Sequence, residues 1–285
     1  MNTSEHRFPR LKLLLPLALL SPVLAQQPSP PAAAPAGAEP NVTDLAKETQ
    51  NPVGDLVSVP FQFNFNNGGG LEDETMFNLN IQPVIPIHLS QSVIMIARTI
   101  IPINSFPTTA GTRSSGVGDI QEEIFLTPAK PGAIIWGIGP VFSFPVATAE
   151  PAKTGTWAGG PGVVVLATPG PWVLGALAAQ FSPLVDAGGP PRLNLFTIQY
   201  FINYNFGKGW TFGSAPTITA NWDASGNDRW TLPFGASISR TVVFNGQPMT
   251  LGISYYHNLK GPDSAPSTTL RFQLNLIFPT KPRGK

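Results

Sequence analysis

Apolar and polar residues alternate along most of this chain, and the pattern is clearest in its last regular run, 270–278. There Leu270, Phe272, Leu274, Leu276 and Phe278 are interleaved with Arg271, Gln273 and Asn275. A period of two gives an extended strand one apolar and one polar face. The pattern recurs at 57–65, where Val57, Val59, Phe61, Phe63 and Phe65 oppose Ser58, Pro60, Gln62 and Asn64. At 77–85, Asn78, Asn80 and Gln82 oppose Phe77, Leu79 and Ile81. At 193–206, Thr197, Gln199, Asn203 and Asn205 oppose a row of aromatic and aliphatic residues. Similar runs occupy 134–144, 210–220, 230–238 and 249–256. The run 93–103 is apolar on both faces except at Arg98, and 119–127 sets Asp119, Gln121 and Glu123 on one face. Two Gly/Ala-rich runs, 157–167 and 172–181, are poorly patterned. The runs number twelve, an even number as a closed membrane barrel requires, and most have the roughly nine to eleven residues that a tilted membrane strand needs.

The connections carry a second pattern. Those at 66–75, 104–118, 145–156 and 182–192 are long, while those at 87–92, 128–132, 168–171 and 207–209 are short. The alternation weakens toward the end: 221–228 is of medium length, the turn around Asn245-Gly246 is not clearly shorter, and 257–267 is long. Such alternation predicts an all-β, antiparallel up-and-down barrel, with short periplasmic turns and long extracellular loops. Trp157, Trp172, Trp210, Trp222, Trp230, Tyr255 and Tyr256 fall near strand ends, as an interfacial girdle would place them. In this reading 270–278 closes the barrel against 57–65. A secreted sandwich or propeller is the competing architecture.

Composition narrows the choice. Only 12% of the 285 residues are charged and the net charge is +1. With no basic cluster, nucleic acid is not an expected partner. Mean hydropathy of +0.08 is too low for a bundle of membrane helices. The chain has no cysteine, which excludes disulfides, thiolate metal sites and a cysteine nucleophile. Residues 1–25 read as a secretory signal: Arg7, Arg10 and Lys12 precede the apolar core 13–20 and the small-residue site Val23-Leu24-Ala25. A Pro/Ala-rich linker and a short helix-prone segment capped by Thr43 fill 26–54, the barrel fills 55–278, and 279–285 form a tail. Glycines crowd the fifth to seventh strands (Gly137, Gly139, Gly159, Gly160, Gly162, Gly175), allowing either sharp curvature or close approach of another segment. Residues 41–54 could then lie in the lumen against that wall as a partial plug.

Several longer stretches resemble one bacterial family: LAKETQNPVGDLVSVPFQFNFNNG (45–68), NIQPVIP (80–86), GVGDIQ (116–121), FLTPAKPG (125–132), WGIGPVFSFPVAT (136–148) and LRFQLNLIFP (270–279). The chain is similar to the outer-membrane proteins grouped under the meta-pathway of phenol degradation, often named transporters or, wrongly, neuromedin U. The resemblance implies an outer-membrane barrel that takes up small, often aromatic, compounds, and it carries no agreed catalytic or binding residues. The chain departs from that pattern at its long Pro/Ala linker and at Glu122.

Ionisable groups facing lipid are costly, so Arg98, Asp119 and Glu123 are expected in the lumen, with Arg98 paired to one of the two carboxylates. Gln62, Asn64, Asn80, Gln121, Gln199, Asn203, Arg271 and Gln273 complete the candidate pore lining. An amide-rich wall of this kind offers hydrogen bonds without a strong field. The expected function is an outer-membrane channel for small neutral or weakly charged solutes, and the alternative is a closed structural or adhesion barrel. The expected partners are the outer-membrane bilayer, the barrel assembly machinery and a small-molecule solute. Glu122 breaks the alternation and is expected at an interface or a local bulge. The acidic run Glu72-Asp73-Glu74 reads as a solvated loop. No serine motif accompanies Tyr255-Tyr256-His257-Asn258, so neither catalytic residues, cofactor nor metal is expected.

Overall fold

The computed structural model describes residues 41–69, 74–108, 111–185 and 193–279. The expected signal, the linker through residue 40, Glu72, Asp73 and the tail from 280 lie outside these residues. One short helix, α1 (Val42–Glu48), precedes fifteen strand segments that form a single antiparallel sheet closed on itself. In order these are β1 (Val57–Asn67), β2 (Met76–Ile81), β3 (Val84–His88), β4 (Val93–Pro107), β5 (Arg113–Val117), β6 (Ile120–Pro128), β7 (Ile134–Phe144), β8 (Trp157–Ala167), β9 (Trp172–Val185), β10 (Leu195–Gly207), β11 (Trp210–Ser214), β12 (Thr217–Asn221), β13 (Trp230–Phe244), β14 (Gln247–Lys260) and β15 (Thr268–Phe278). β15 pairs with β1 from Val57↔Phe278 to Asn67↔Thr268, which closes the sheet.

Twelve staves result because three of them are broken into two segments. β2 and β3 both bridge β1 and β4, and they are separated at Gln82-Pro83. β11 and β12 both bridge β10 and β13, and they part at Ala215-Pro216. In each break a proline removes a ladder donor. β5 pairs with the upper part of β4, above β6, so part of the connection expected as a long loop at 104–118 is strand. β13 and β14 are joined by only Asn245 and Gly246, both at positive φ (48° and 79°), the geometry a two-residue hairpin turn demands. The last turn is therefore as tight as the others at that end, which Asn245-Gly246 could have signalled.

The outer face carries an apolar belt bounded by aromatic contacts. At the long-loop end Phe144 meets Trp157, and Trp222 meets both Phe196 and Trp230. At the short-turn end Trp172 meets Tyr204, and Phe206 stacks on Trp210, over which Arg240 lies 5.2 Å from the ring centroid. Along β10 the span from Phe196 to Tyr204 is roughly 27 Å of strand at ~3.4 Å per residue. After a tilt of ~40° this becomes roughly 20 Å, close to the ~25 Å belt of outer-membrane barrels. Tyr256 is the exception among the expected girdle residues: it points inward and is buried. No helix among the described residues is long and apolar enough to cross a membrane.

Phe278 sits on the outer face at the closing seam opposite Val57. Phe278→Asp should lower the folded, heat-modifiable fraction on gels several-fold, whereas Phe278→Leu should leave it intact.

Candidate functional site in the barrel lumen

Register decides which side chains meet inside. Antiparallel pairing sets Gln62 opposite both Gln273 and Asn80, and Asn64 opposite both Arg271 and Asn78. Asn78 in turn lies opposite Asn104. Gln62, Asn64, Asn78 and Asn80 therefore form one polar surface with Gln273, Arg271 and Asn104. Asn64 Nδ2 donates to Asn78 Oδ1 (2.9 Å), and Asn78 Nδ2 donates to Asn104 Oδ1 (2.8 Å) and to Asn80 Oδ1 (3.1 Å). Arg98 is anchored on both sides: Nη1 donates to Glu123 Oε2 and Nη2 to Gln82 Oε1, each at 2.8 Å. Gln82 Nε2 passes the chain on to Gln62 Oε1 (3.1 Å). The Arg98 and Glu123 side chains are 15% and 5% exposed, so the pair is desolvated and mutually required. Arg271 Nε donates to Asn64 Oδ1 (2.6 Å), and its guanidinium lies 5.5 Å from the centre of the Tyr256 ring.

The opposite wall is apolar. Ile94, Ile96, Phe125, Val164, Leu166, Val173, Leu177 and Phe201 face inward and pack around Val53, which comes from the segment ahead of β1. Gly137 explains how Val53 fits: a Cβ there would lie 3.0 Å from the Val53 methyl and 3.1 Å from Val164. α1 sits against β10, β11 and β13. Asn41, rather than the expected Thr43, caps it by accepting from the Thr43 amide (3.0 Å). Thr43 Oγ1 instead accepts from Gly209 N, and Lys47 Nζ donates to Gly170 O (2.7 Å), which ties the helix to two short turns. Gln50 Nε2 donates to Asn205 Oδ1 (2.9 Å) and Thr211 Oγ1 (3.2 Å) on the inner wall. Leu45 and Leu56 bury against Ile277. His88 and Asp55 meet at 2.9 Å beside this segment. Partial desolvation and, second, the nearby Asp55 carboxylate push the Glu48 carboxyl above its usual range.

Two cavities, of about 200 and about 250 Å³, lie in the interior. The first lies over the N-terminal segment, with Gln50, Asn203 and Asn275 on its walls. The second is bounded by Asn80, Gln121, Glu123, Ile100, Pro102 and Leu177. Gln62, Gln82, Arg98, Gln199 and Arg271 border both, so the two spaces adjoin at the level of the arginines. Gln199 and Gln273 lie on these walls together with most of the other residues the sequence singled out.

Other candidates lie elsewhere. Asp119 is in the connection before β6, where it accepts from Ala147 N (3.0 Å), Thr154 N (3.3 Å) and Thr154 Oγ1 (2.5 Å). It pins the 145–156 loop and does not pair with Arg98. Glu122 faces outward opposite Thr99 and Phe142 in an unbroken register, so no bulge is present there. Thr99 Oγ1 donates to its carboxylate at 2.6 Å. His257 is exposed on the outer face opposite Phe234 and Thr268. Of the acidic run, Glu74 lies 3.8 Å from Arg113. Tyr256, expected in the girdle, belongs to the lumen together with Gln50 and Val53 of the 41–54 segment; the period of two from Ser254 points Tyr256 inward.

No family model and no curated protein matches the chain. Solved structures do. The COG4313 outer membrane channel from Pseudomonas putida F1 is similar over 78% of this chain and 94% of its own, at 12% identity and a TM-score of 0.58. Outer membrane phospholipase A from Escherichia coli covers 78% of this chain and 96% of its own, at 9% identity and a TM-score of 0.44. The CymD monoaromatic hydrocarbon channel covers 89% and 95%, at 10% identity and a TM-score of 0.43. At such identities the likeness is one of fold, and only the first is close enough to weigh. What the chain shares with that channel is the architecture of an outer-membrane β-barrel.

Proposed function

We propose that this protein is an outer-membrane channel for small neutral or weakly charged organic solutes, with residues 41–54 acting as a partial plug. The observation that carries the reading is the pair of adjoining cavities inside a closed barrel, walled by amides and bordered by a docked N-terminal segment. A wall of Gln and Asn exchanges hydrogen bonds with a passing solute at little net cost, because it replaces water with equivalent partners. The apolar wall around Leu177 supports solutes with a hydrophobic body, and the sequence resemblance points to aromatic ones. Export to the periplasm and insertion by the barrel assembly machinery belong to the same proposal.

A seven-residue helix is unstable by itself in water, so α1 owes its order to docking. Leaving the wall would melt it, which makes the segment separable from the barrel without disturbing any strand pair. Deleting residues 26–54 should raise single-channel conductance in planar bilayers several-fold. Conductance that stays unchanged contradicts the plug, and a barrel that remains closed even without the segment favours a structural or adhesion role. Gly137→Leu should act in the same direction, since its side chain would take the place of Val53.

Glu48 gives a pH dependence. Its carboxyl is raised when docked, so docking favours the protonated form and weakens as pH rises through the raised value. Conductance should therefore increase modestly from acidic to neutral pH, and Glu48→Gln should flatten that dependence. Glu48 is only partly buried, which keeps the expected effect small.

A further inference from the structure

The two interior arginines are provided for differently. Both terminal nitrogens of Arg98 are taken, one by Glu123 and one by Gln82. Arg271 uses only Nε, toward Asn64, with the Tyr256 ring at its face. Among the described residues no acceptor reaches its Nη1 or Nη2, and neither nitrogen is enclosed without a partner. That edge therefore opens onto the cavity space, at the level where the two cavities adjoin.

A guanidinium with both terminal groups free presents a planar fork that matches a carboxylate with two parallel hydrogen bonds. The surroundings favour an anion there. The charged groups bordering the second cavity are Arg98, Arg271 and Glu123, so one positive charge is uncompensated once Arg98 and Glu123 neutralise each other. Gln62 and Gln273 flank the site and make only a 3.5 Å contact with one another, which leaves amide donors to spare. Ile100, Pro102 and Leu177 line the same cavity and offer an apolar surface to the remainder of a bound molecule.

We infer that Arg271 is the carboxylate-binding residue of a lumen site for small organic monocarboxylates whose apolar body rests against Ile100, Pro102 and Leu177. This deepens the channel reading and rests on it for its physiological sense, although binding itself does not depend on conduction. Calorimetric titration of the folded, detergent-solubilised protein with benzoate and with its neutral counterpart benzyl alcohol tests the site directly. Benzoate should bind at least about tenfold more tightly, the scale of a charge-assisted bidentate contact. Arg271→Gln should abolish that preference, and Arg271→Lys should keep only part of it, because a point charge lacks the fork. Equal affinity for the two probes in the wild type overturns the site whether or not either variant folds, as does benzoate binding unaltered in a folded Arg271→Gln. In bilayers, benzoate should block wild-type current more strongly than that of Arg271→Gln. A barrel that binds benzoate through Arg271 but never conducts would refute the channel and leave the site standing.

Discussion

Inside hydrocarbon an unpaired peptide group finds no water, and each one costs several kcal/mol. A sheet can cross a membrane only by leaving no edge, and here that condition is met by the ladder between β1 and β15. Everything else follows from this closure. Once the first and last strands pair, the period of two fixes which side chains meet lipid and which meet the interior. Phe61, Phe63 and Phe65 go outward together with Leu270, Phe272 and Leu274, and Gln62, Asn64, Arg271 and Gln273 are brought inward onto one patch. A slip of one residue would exchange the two sets, so the lumen chemistry and the lipid belt are specified by the same register.

The interior is divided rather than uniformly wet. Around β1, β2 and β15 it is a hydrogen-bonded amide surface; around β4 and β6 to β10 it is a hydrophobic core that Val53 joins. That division gives the N-terminal segment a place to dock by burial of Leu45, Val53 and Leu56, with Gln50 and Lys47 satisfying polar groups alongside. Each apolar side chain so buried is worth about 1.5–3 kcal/mol before the cost of ordering the chain. The segment is tied to the wall through the side chains of Thr43, Lys47 and Gln50, which suits one that can leave.

Strands with a polar inner face were legible because lipid and water impose opposite demands on neighbouring residues. Residues 57–65 and 270–278 show this cleanly, and their pairing follows. The Gly/Ala-rich strands were not, because Val164, Leu166, Val173 and Leu177 face inward against other apolar groups, so both faces of those strands are greasy and the alternation vanishes. Segment breaks at Pro83 and Pro216 could have been read from proline's missing donor, whereas β5 is a short, polar, serine-bearing strand with no such mark. In the lumen, the pairing of Arg98 with a carboxylate was foreseeable, but only the three-dimensional register selects Glu123 and sends Asp119 to a loop. Glu122 shows the reverse: a single outward carboxylate is accommodated because Thr99 happens to lie opposite and donates to it.

In the proposed channel, a segment docked inside the closed barrel controls passage through it. The chain has no cysteine, so a cysteine pair at Val53 and Gly137, where segment and wall touch, can be introduced without interference from native thiols. Current through single barrels should be measured with this pair oxidised and then reduced. Conductance should be low in the oxidised state and rise on reduction. A conductance that is the same in both states, with the cross-link shown to form, would contradict it.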